Sequence, residues 1–352
     1  MEIILKSIQK ELSRFYEKNI LVCVSGGIDS MVLLHLVVSQ KIKFKLNIFV
    51  VTVNHNIRST EETLKDFQII KEFCDSLNIP YIKKEIPVGM IKKTALERNR
   101  GEEESARFLR YKCFEQAAKE CNADIVLTAH TFSDQVETLL QRFLQGSDSE
   151  SFTGIKKQRD IFFRPLLNVD RQKIEEYAKI FLIPFHEDLT NQNNNYLRNK
   201  IRNKLIPFLN ENFFGWEKAV VTGAKKIAQD GNLLKNLSKK IIWQKKIDKD
   251  NQVFLFCNKE EFIKYPLNIK VRALKNALRK LNCTERISTN FLEKFAVDFK
   301  FCKTSGFIFD CKKEKVFIKK RLKIMTNKSF FAIIEKDNGF EIFSNYEKNE
   351  RE

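Results

Sequence analysis

The sequence predicts an α/β protein: a doubly wound parallel sheet, a helical linker and then a small α+β C-terminal domain. Three observations predict it. In the first half, short β-branched runs alternate with stretches of helical periodicity, the pattern of strand–helix–strand units in a parallel sheet. A Gly-Gly loop, Ser25 to Ser30, lies between the first such run and the first long helix, the kind of junction where doubly wound sheets bind ligands. Beyond about residue 215 the alternation stops and positive charge accumulates.

The elements follow in order. Ile20 to Val24 is an apolar run of strand length, and Ser30 to Ser39 continues with helical spacing. Leu46 to Val53 is a second strand bounded by polar residues, Glu61 to Leu77 is an amphipathic helix, and Tyr81 to Ile86 is a strand. Glu103 to Cys121 reads as a long helix, Ile125 to Leu127 as a buried strand, and Ser133 to Gln145 as a further helix. After Arg164-Pro165 the pattern becomes helical, with an Asn-rich loop at Asn191 to Asn195 and a break expected from Pro207 to Gly215. Trp216 to Lys245 is expected as one connecting helix. A strand at Val253 to Phe256, helices near Ile269 to Leu281 and Thr289 to Phe299, and β-like stretches at Gly306 to Asp310 and Lys315 to Lys319 complete the small domain. The expected division is 1–215 for a nucleotide-binding domain, 216–245 for the linker and 246–352 for the basic domain.

Composition narrows the partners. Residues 1–215 hold 32 Lys plus Arg against 28 Asp plus Glu, a net of +4; residues 216–352 hold 31 against 17, a net of +14. A polyanion suits such a surface, because each neutralised phosphate releases a condensed counterion. The basic stretch containing Lys312, Lys313, Lys315, Lys319, Lys320, Arg321 and Lys323 is the densest part, with Phe307, Phe309 and Phe317 interleaved as the core side of two strands. The 8 cysteines include no pair separated by two residues, so no CxxC metal knuckle or redox pair is expected. No signal peptide and no spanning run of apolar residues is visible, and the expected location is the cytoplasm, with no membrane partner.

Ser25-Gly26-Gly27-Ile28-Asp29-Ser30 carries the strongest chemical signal. Two glycines let backbone approach a ligand, the hydroxyls add donors, and the helix end presents free N–H groups, so the loop suits phosphate. It matches neither GxxxxGK[ST] nor GxGxxG. Asp29 fits beside phosphate only with a cation between them, which implies Mg²⁺.

The loop SGGxDS resembles that of the ATP-pyrophosphatase (PP-loop) superfamily. Further segments resemble one branch, the tRNA(Ile)-lysidine synthetases: Val53-Asn54-His55-Asn56-Ile57-Arg58 is similar to HVNHGLR, with Thr52 in place of a further histidine. The stretch from Gly101 to Tyr111 is similar to ExxARxxRY, and Ala129 to Thr138 to AHHxDDQxET. Arg164 to Leu167 matches RPLL, and Glu187 to Asn191 with Arg198 to Arg202 is similar to EDxSN followed by RNxIR. Two departures fall in one motif: Thr131 replaces the second His and Ser133 the first Asp, leaving Asp134 as the better metal ligand.

The resemblance implies that ATP binds on Ser25, Gly26, Gly27, Ile28, Asp29 and Ser30, with contacts from His55 and His130, and that Mg²⁺ is held by Asp29 with Asp134. Asp29, Arg107, Asp134 and Glu137 are the implied catalytic residues. Glu103, Tyr111, Arg198, Asn199, Arg202, Lys319, Lys320 and Arg321 are candidates for contacting lysine or tRNA. Glu103, Arg107 and Tyr111 recur every 4 residues along one helix face and can point into one cleft. The implied reaction adenylates the wobble cytidine of a tRNA(Ile) with a CAU anticodon and joins free L-lysine to it. The resemblance is compatible with a homodimer. Two alternatives stay open, a tRNA thiolase of the same superfamily and an RNA-binding protein without catalysis. The missing CxxC argues against the first and the intact site residues against the second.

Overall fold

The computed structural model describes residues 2–56, 60–186, 197–247, 253–281, 289–297, 306–310, 315–319, 330–336 and 339–344. The chain divides into two compact units, Met1–Ile227 and Ala228–Glu352. Among the described residues no helix is long and apolar enough to cross a membrane.

In the first unit the elements are α1 (Glu2–Leu12), β1 (Asn19–Cys23), α2 (Ile28–Val38), α3 (Lys41–Phe44), β2 (Asn47–Asn54), α4 (Thr60–Ser76), β3 (Tyr81–Glu85), α5 (Met90–Glu97), α6 (Glu102–Glu120), β4 (Ile125–Leu127) and α7 (Phe132–Leu144). Then come β5 (Gln158–Arg159), β6 (Phe162–Phe163), α8 (Arg171–Ile180), α9 (Leu197–Lys200), α10 (Ile206–Asn212) and α11 (Trp216–Ser238), whose residues from Ala228 on belong to the second unit. The sheet order is β3-β2-β1-β4-β6-β5. All neighbours are parallel except the short β5–β6 pair at the edge. The order reverses between β1 and β4, which makes that crevice the topological switch point.

Strand side chains alternate between two cores, as the period of two demands. Ile20, Val22, Ile48, Val50, Ile125 and Leu127 face α1, α2, α4 and α8. Leu21, Cys23, Val51, Val126 and Phe162 face Phe114, Ala117 and Ala118 of α6. A sheet buried on both faces explains why its strands read as continuous apolar runs. On α7, Val136 and Leu139 pack with Val221 and Ala224 of α11.

Gly154 closes the turn below α7. Its φ is +66, and a Cβ there would lie 2.5 Å from Nε2 of Gln135, whose Oε1 accepts the Ile155 N–H. Gly154→Ala is expected to cost about 2 kcal/mol, measured as a lower midpoint in denaturant.

The second unit has a six-stranded antiparallel sheet in the order β10-β9-β11-β12-β8-β7. Its strands are β7 (Gln244–Ile247), β8 (Val253–Asn258), β9 (Gly306–Asp310), β10 (Lys315–Lys319), β11 (Phe330–Lys336) and β12 (Gly339–Ser344). Helices α12 (Lys259–Ile263), α13 (Leu267–Lys280) and α14 (Thr289–Val297) accompany it. Ile241, Leu255, Phe262, Leu274, Leu278 and Leu292 form its core.

Two expectations need correction. The connecting helix does not reach Lys245. It ends at Ser238, and Gln244–Ile247 is a strand paired antiparallel with β8. Ile241 and Trp243 pack on this core while Ile242 between them is exposed, the alternation of an extended chain, so pairing overrides helix propensity there. Nor does the chain break at Pro207: the chain is helical from Leu197 to Asn212, and Pro207, which has no N–H to donate, lies just past the π-helical turn Ile201–Leu205. The break comes at Phe213 to Gly215, with Gly215 at φ +78.

Candidate active site

The loop between β1 and α2 is fixed by its own backbone. Gly26 has φ +83, a region that costs a residue with Cβ about 1–2 kcal/mol, and its carbonyl accepts the His186 N–H at 2.9 Å. Ser30 ties the loop shut. Its Oγ accepts the Ser25 N–H at 3.1 Å and donates to the Gly27 carbonyl at 2.8 Å. No side chain caps the start of α2, so that helix end is open to an anion.

Asp29, in the first turn of α2, meets an unexpected partner. Nη1 of Arg171 on α8 donates to both of its carboxylate oxygens, at 2.8 and 2.7 Å, while Nε of Arg171 donates to Glu175 at 2.9 Å. Burial pushes the Asp29 carboxyl up to about 6; Arg171 pulls it down and the nearby Asp134 pushes it further up.

At the start of α7, Thr131 forms a reciprocal cap with Asp134. The Thr131 N–H donates to Oδ2 of Asp134 at 2.9 Å, and the Asp134 N–H returns to Oγ1 of Thr131 at 3.5 Å. The other oxygen of Asp134 accepts Nη2 of Arg198 at 2.6 Å. Burial opposes ionisation of Asp134, yet Arg198 and the Thr131 N–H hold its carboxyl below the ordinary range. Glu137, one turn on, is 2% exposed and takes Nε of Arg198 at 2.9 Å and Nε and Nη2 of Arg202 at 2.6 and 2.9 Å. Arg198 and Asn199 lie on α9 and Arg202 in the π-helical turn Ile201–Leu205 that follows. Thr131→Ala removes the cap and is expected to cost about 1 kcal/mol, read as a lower thermal midpoint.

A third group lies on α6 and beside β4. Arg107 and Arg164 both donate through Nη2 to the Tyr111 hydroxyl, at 3.3 and 3.2 Å. Nδ1 of His130, just beyond β4, is 3.0 Å from Oγ1 of Thr128. Burial drives His130 down to about 3, with Asp134 opposing and Arg107, Arg164 and Arg110 adding to the shift, so its imidazole is neutral at physiological pH. Glu103 is exposed at the first turn of α6.

Comparison with known proteins gives this geometry a family. A family model described as the PP-loop domain matches residues 1–209. The tRNA(Ile)-lysidine synthase of Treponema denticola is 40% identical over 272 residues, 76% of this chain and 58% of that protein. That of Borreliella afzelii is 32% identical over 323 residues, 88% of this chain and 71% of that protein. The chain belongs to the tRNA(Ile)-lysidine synthase family. It spans a little over half the length of the Treponema relative. Among solved structures, a U34-tRNA thiolase from Methanococcus maripaludis with its iron–sulfur cluster has a TM-score of 0.55 at 15% identity, covering 65% of this chain and 79% of that one, a likeness of fold.

Set against the lysidine synthase motifs, the sequence-predicted residues fall into two groups. Asp134, Glu137, Arg198 and Arg202 form one ion-pair network, and Asp29 feels both Asp134 and Arg202. His55 stands just past β2, where Asn56 takes the position of the family glycine at φ +51, a conformation Asn tolerates. Asn56 is held there by Asn54, Glu85 and the Ile86 carbonyl. Lys319 ends β10. Lys320 and Arg321 lie outside the described residues, as do Lys312, Lys313, Lys323, Ile57, Arg58, Glu187 to Asn191 and the Asn-rich loop. Arg171 was not foreseen: no local pattern in a lysidine synthase sequence tells that a helix 142 residues on supplies the partner of Asp29.

Proposed function

We propose that this chain ligates free L-lysine to the 2-position carbon of the wobble cytidine of tRNA(Ile) with a CAU anticodon, consuming ATP and releasing AMP and pyrophosphate. The product is lysidine, which changes decoding from methionine to isoleucine. The observation that carries the reading is the convergence of the Ser25–Ser30 loop with the Asp29, Asp134 and Glu137 carboxylates at the switch point, in a chain of the lysidine synthase family. The proposed tRNA substrate supports a cytoplasmic location.

Asp29 and Asp134 suit Mg²⁺. They are hard oxygen donors, with Asp134 close enough to raise the Asp29 carboxyl, and Mg²⁺ is commonly held by one or two carboxylates plus substrate phosphates. Among the described residues no group of three or more His, Cys, Asp or Glu could hold a metal, consistent with a site that substrate completes. When bound, the ion supplies charge neutralisation at the polyphosphate.

The residues divide the work. The Ser25–Ser30 loop and the open end of α2 hold phosphate. The cytosine 2-oxygen attacks the α-phosphorus and pyrophosphate leaves, so a poor leaving oxygen becomes part of AMP. Neutral His130 donates or accepts one hydrogen bond without adding charge. The lysine ε-amine then attacks the activated carbon, AMP leaves, and a carboxylate takes the amine proton. Glu137 serves as that carboxylate: it already receives three guanidinium hydrogen bonds, which marks the position as a cation slot that an ammonium can enter when an arginine turns away.

The thiolase alternative fares worse. Burial pushes the thiols of Cys23, Cys74, Cys113, Cys121 and Cys257 up, away from the thiolate form that sulfur transfer and cluster binding need. The test of the function is incubation with ATP, Mg²⁺, labelled lysine and total bacterial tRNA: label should enter tRNA in step with AMP. AMP formation that lysine neither accelerates nor follows into tRNA would contradict it.

Binding of tRNA is assigned to the basic C-terminal part. Replacing Lys319, Lys320 and Arg321 together by Ala is expected to lower the slope of log affinity against log salt by roughly 2–3, with ATP affinity unchanged. An identical slope for mutant and wild type would remove these residues from the interface.

A further inference from the structure

One corner of the first unit turns aromatic rings to water. Phe208 on α10 and Phe213 just past it are 55% and 54% exposed, with ring centroids 6.3 Å apart, and Phe214 beside them is fully exposed. Apolar side chains scattered singly over a surface are ordinary, whereas a contiguous patch marks a binding face. The corner is held in shape from within. Nε1 of Trp216 donates to Oδ1 of Asn210 at 2.8 Å, Nδ2 of Asn212 to the Phe208 carbonyl at 2.8 Å, and the Phe213 N–H to the Leu209 carbonyl at 2.9 Å. Trp216 itself packs on the core shared by α7 and α11. The rings therefore stand on a fixed frame, which lowers the ordering cost of binding.

The charge beside them selects the partner. The helical stretch from Leu197 sends its cations two ways. Arg198 and Arg202 turn inward to Asp134 and Glu137, while Lys200 and Lys204 are exposed and lead to Phe208 at four-residue spacing, along one side of the helix. Lys218, in the first turn of α11, is also exposed. Among the described residues none of these three lysines forms an ion pair. The acids of the segment 197–218 are Glu211, exposed, and Glu217, whose carboxyl is raised by burial and by Asp170. Lysine is depleted in protein–protein interfaces, and a two-fold contact between copies of this chain would bring the same unpaired lysines together. A lysine track beside exposed aromatic rings is instead the arrangement that holds single-stranded nucleic acid, with phosphates on the cations and base faces on the rings.

The position fits the same partner. Arg202 and Lys204 share the π-helical turn, so one side of the helix reaches into the site and another carries the track. Phe208 follows Arg202 by about 9 Å along the axis, at roughly 1.5 Å per residue. We propose that Phe208, Phe213 and Phe214 form a stacking platform for unpaired nucleotides of the tRNA loop beside the wobble base, with Lys200, Lys204 and Lys218 on their phosphates. This rests on the proposed tRNA substrate, and it adds a face of the first unit to the contacts assigned to the C-terminal part.

The experiment titrates the full chain into a synthetic CAU anticodon stem-loop RNA in which 2-aminopurine, a fluorescent base quenched by stacking, replaces the adenine of the CAU triplet. A blunt RNA duplex without a loop is the control, and thermal midpoints are recorded for every variant. Phe213→Ala with Phe214→Ala is expected to lower stem-loop affinity by roughly fivefold to a hundredfold, to abolish the quenching, and to leave the salt slope and the duplex affinity unchanged. Phe214→Trp keeps both the affinity and the quenching. Lys200→Gln with Lys204→Gln lowers the slope of log affinity against log salt by roughly 1–1.5 and keeps the quenching. Should the double phenylalanine variant melt early, Phe214→Ala alone, at the fully exposed ring, carries the same test. Wild-type affinity and quenching in a folded phenylalanine variant, an equal loss for the duplex, or no binding of the stem-loop by the wild type overturns the proposal. So does a wild-type dimer in sedimentation that the phenylalanine variant dissolves without loss of RNA binding, since a second copy then covers the patch. Failure of the wild type to label tRNA with lysine sinks the proposed function instead, and leaves a measured stacking face standing.

Discussion

Replacing Asp29 by alanine is expected to slow AMP formation by roughly a thousandfold or more while leaving tRNA affinity near the wild-type value. Asp29 stands in the first turn of α2, beside the phosphate loop, with its carboxylate directed at a cation, which in this structure is Arg171. Removing the carboxylate takes away the proposed metal ligand and leaves the Arg171 guanidinium facing the site without its partner. No basic contact to RNA is lost, so the tRNA affinity and its salt dependence stay as they are. Quenched-flow measurement of AMP, paired with filter binding of tRNA, separates the two effects. A mutant that releases pyrophosphate at the wild-type rate would mean that the loop from Ser25 to Ser30 is not the nucleotide site.

Glu137→Gln carries the second large effect, and it acts first on stability. Glu137 is 2% exposed and is the shared acceptor of Arg198 and Arg202. Breaking a buried ion pair by removing one partner costs about 3–5 kcal/mol. Because both arginines retain some solvent access, about 2–3 kcal/mol is expected here, a lowering of the thermal midpoint by about 4–12 °C for a unit the size of Met1–Ile227. What survives should adenylate RNA but need far more lysine, since the ammonium meets a neutral amide. Arg202→Gln leaves Glu137 paired with Arg198 and is expected to cost less. If Glu137→Gln melts as the wild type does, the ion-pair network is not formed in solution; if only its ATP use changes, Glu137 belongs with the metal.

Much of this is legible in the sequence alone. Four of the five parallel strands, β1 to β4, read from apolar and β-branched runs, because a sheet covered on both faces leaves little polar alternation to confuse them, whereas the two-residue β6 gives no such run. Asp134 and Glu137 read as a pair because a helix puts residues three apart on one side. The arginines that hold them, Arg198 and Arg202, could be quoted as a motif, but nothing local indicates that they reach back more than 60 residues to α7. The same holds for Arg171 and Asp29, an interaction set by the packing of α8 on α2. Thr131 illustrates a different limit: where family members carry histidine, the hydroxyl supplies a helix cap, a role visible only once the helix start is fixed. At Gln244–Ile247 helical continuity from α11 misled, since the strand there is dictated by its partner β8.

One crevice is expected to adenylate a base and then deliver an amine to it. The measurement that tests it most directly is mass spectrometry of the wobble nucleoside after reaction of the full chain with ATP, Mg²⁺, lysine and CAU-anticodon tRNA(Ile). The account predicts a cytidine heavier by one lysine less one water, formed one for one with AMP and absent when lysine is withheld. An unmodified cytidine, or a base carrying sulfur in place of lysine, would contradict it.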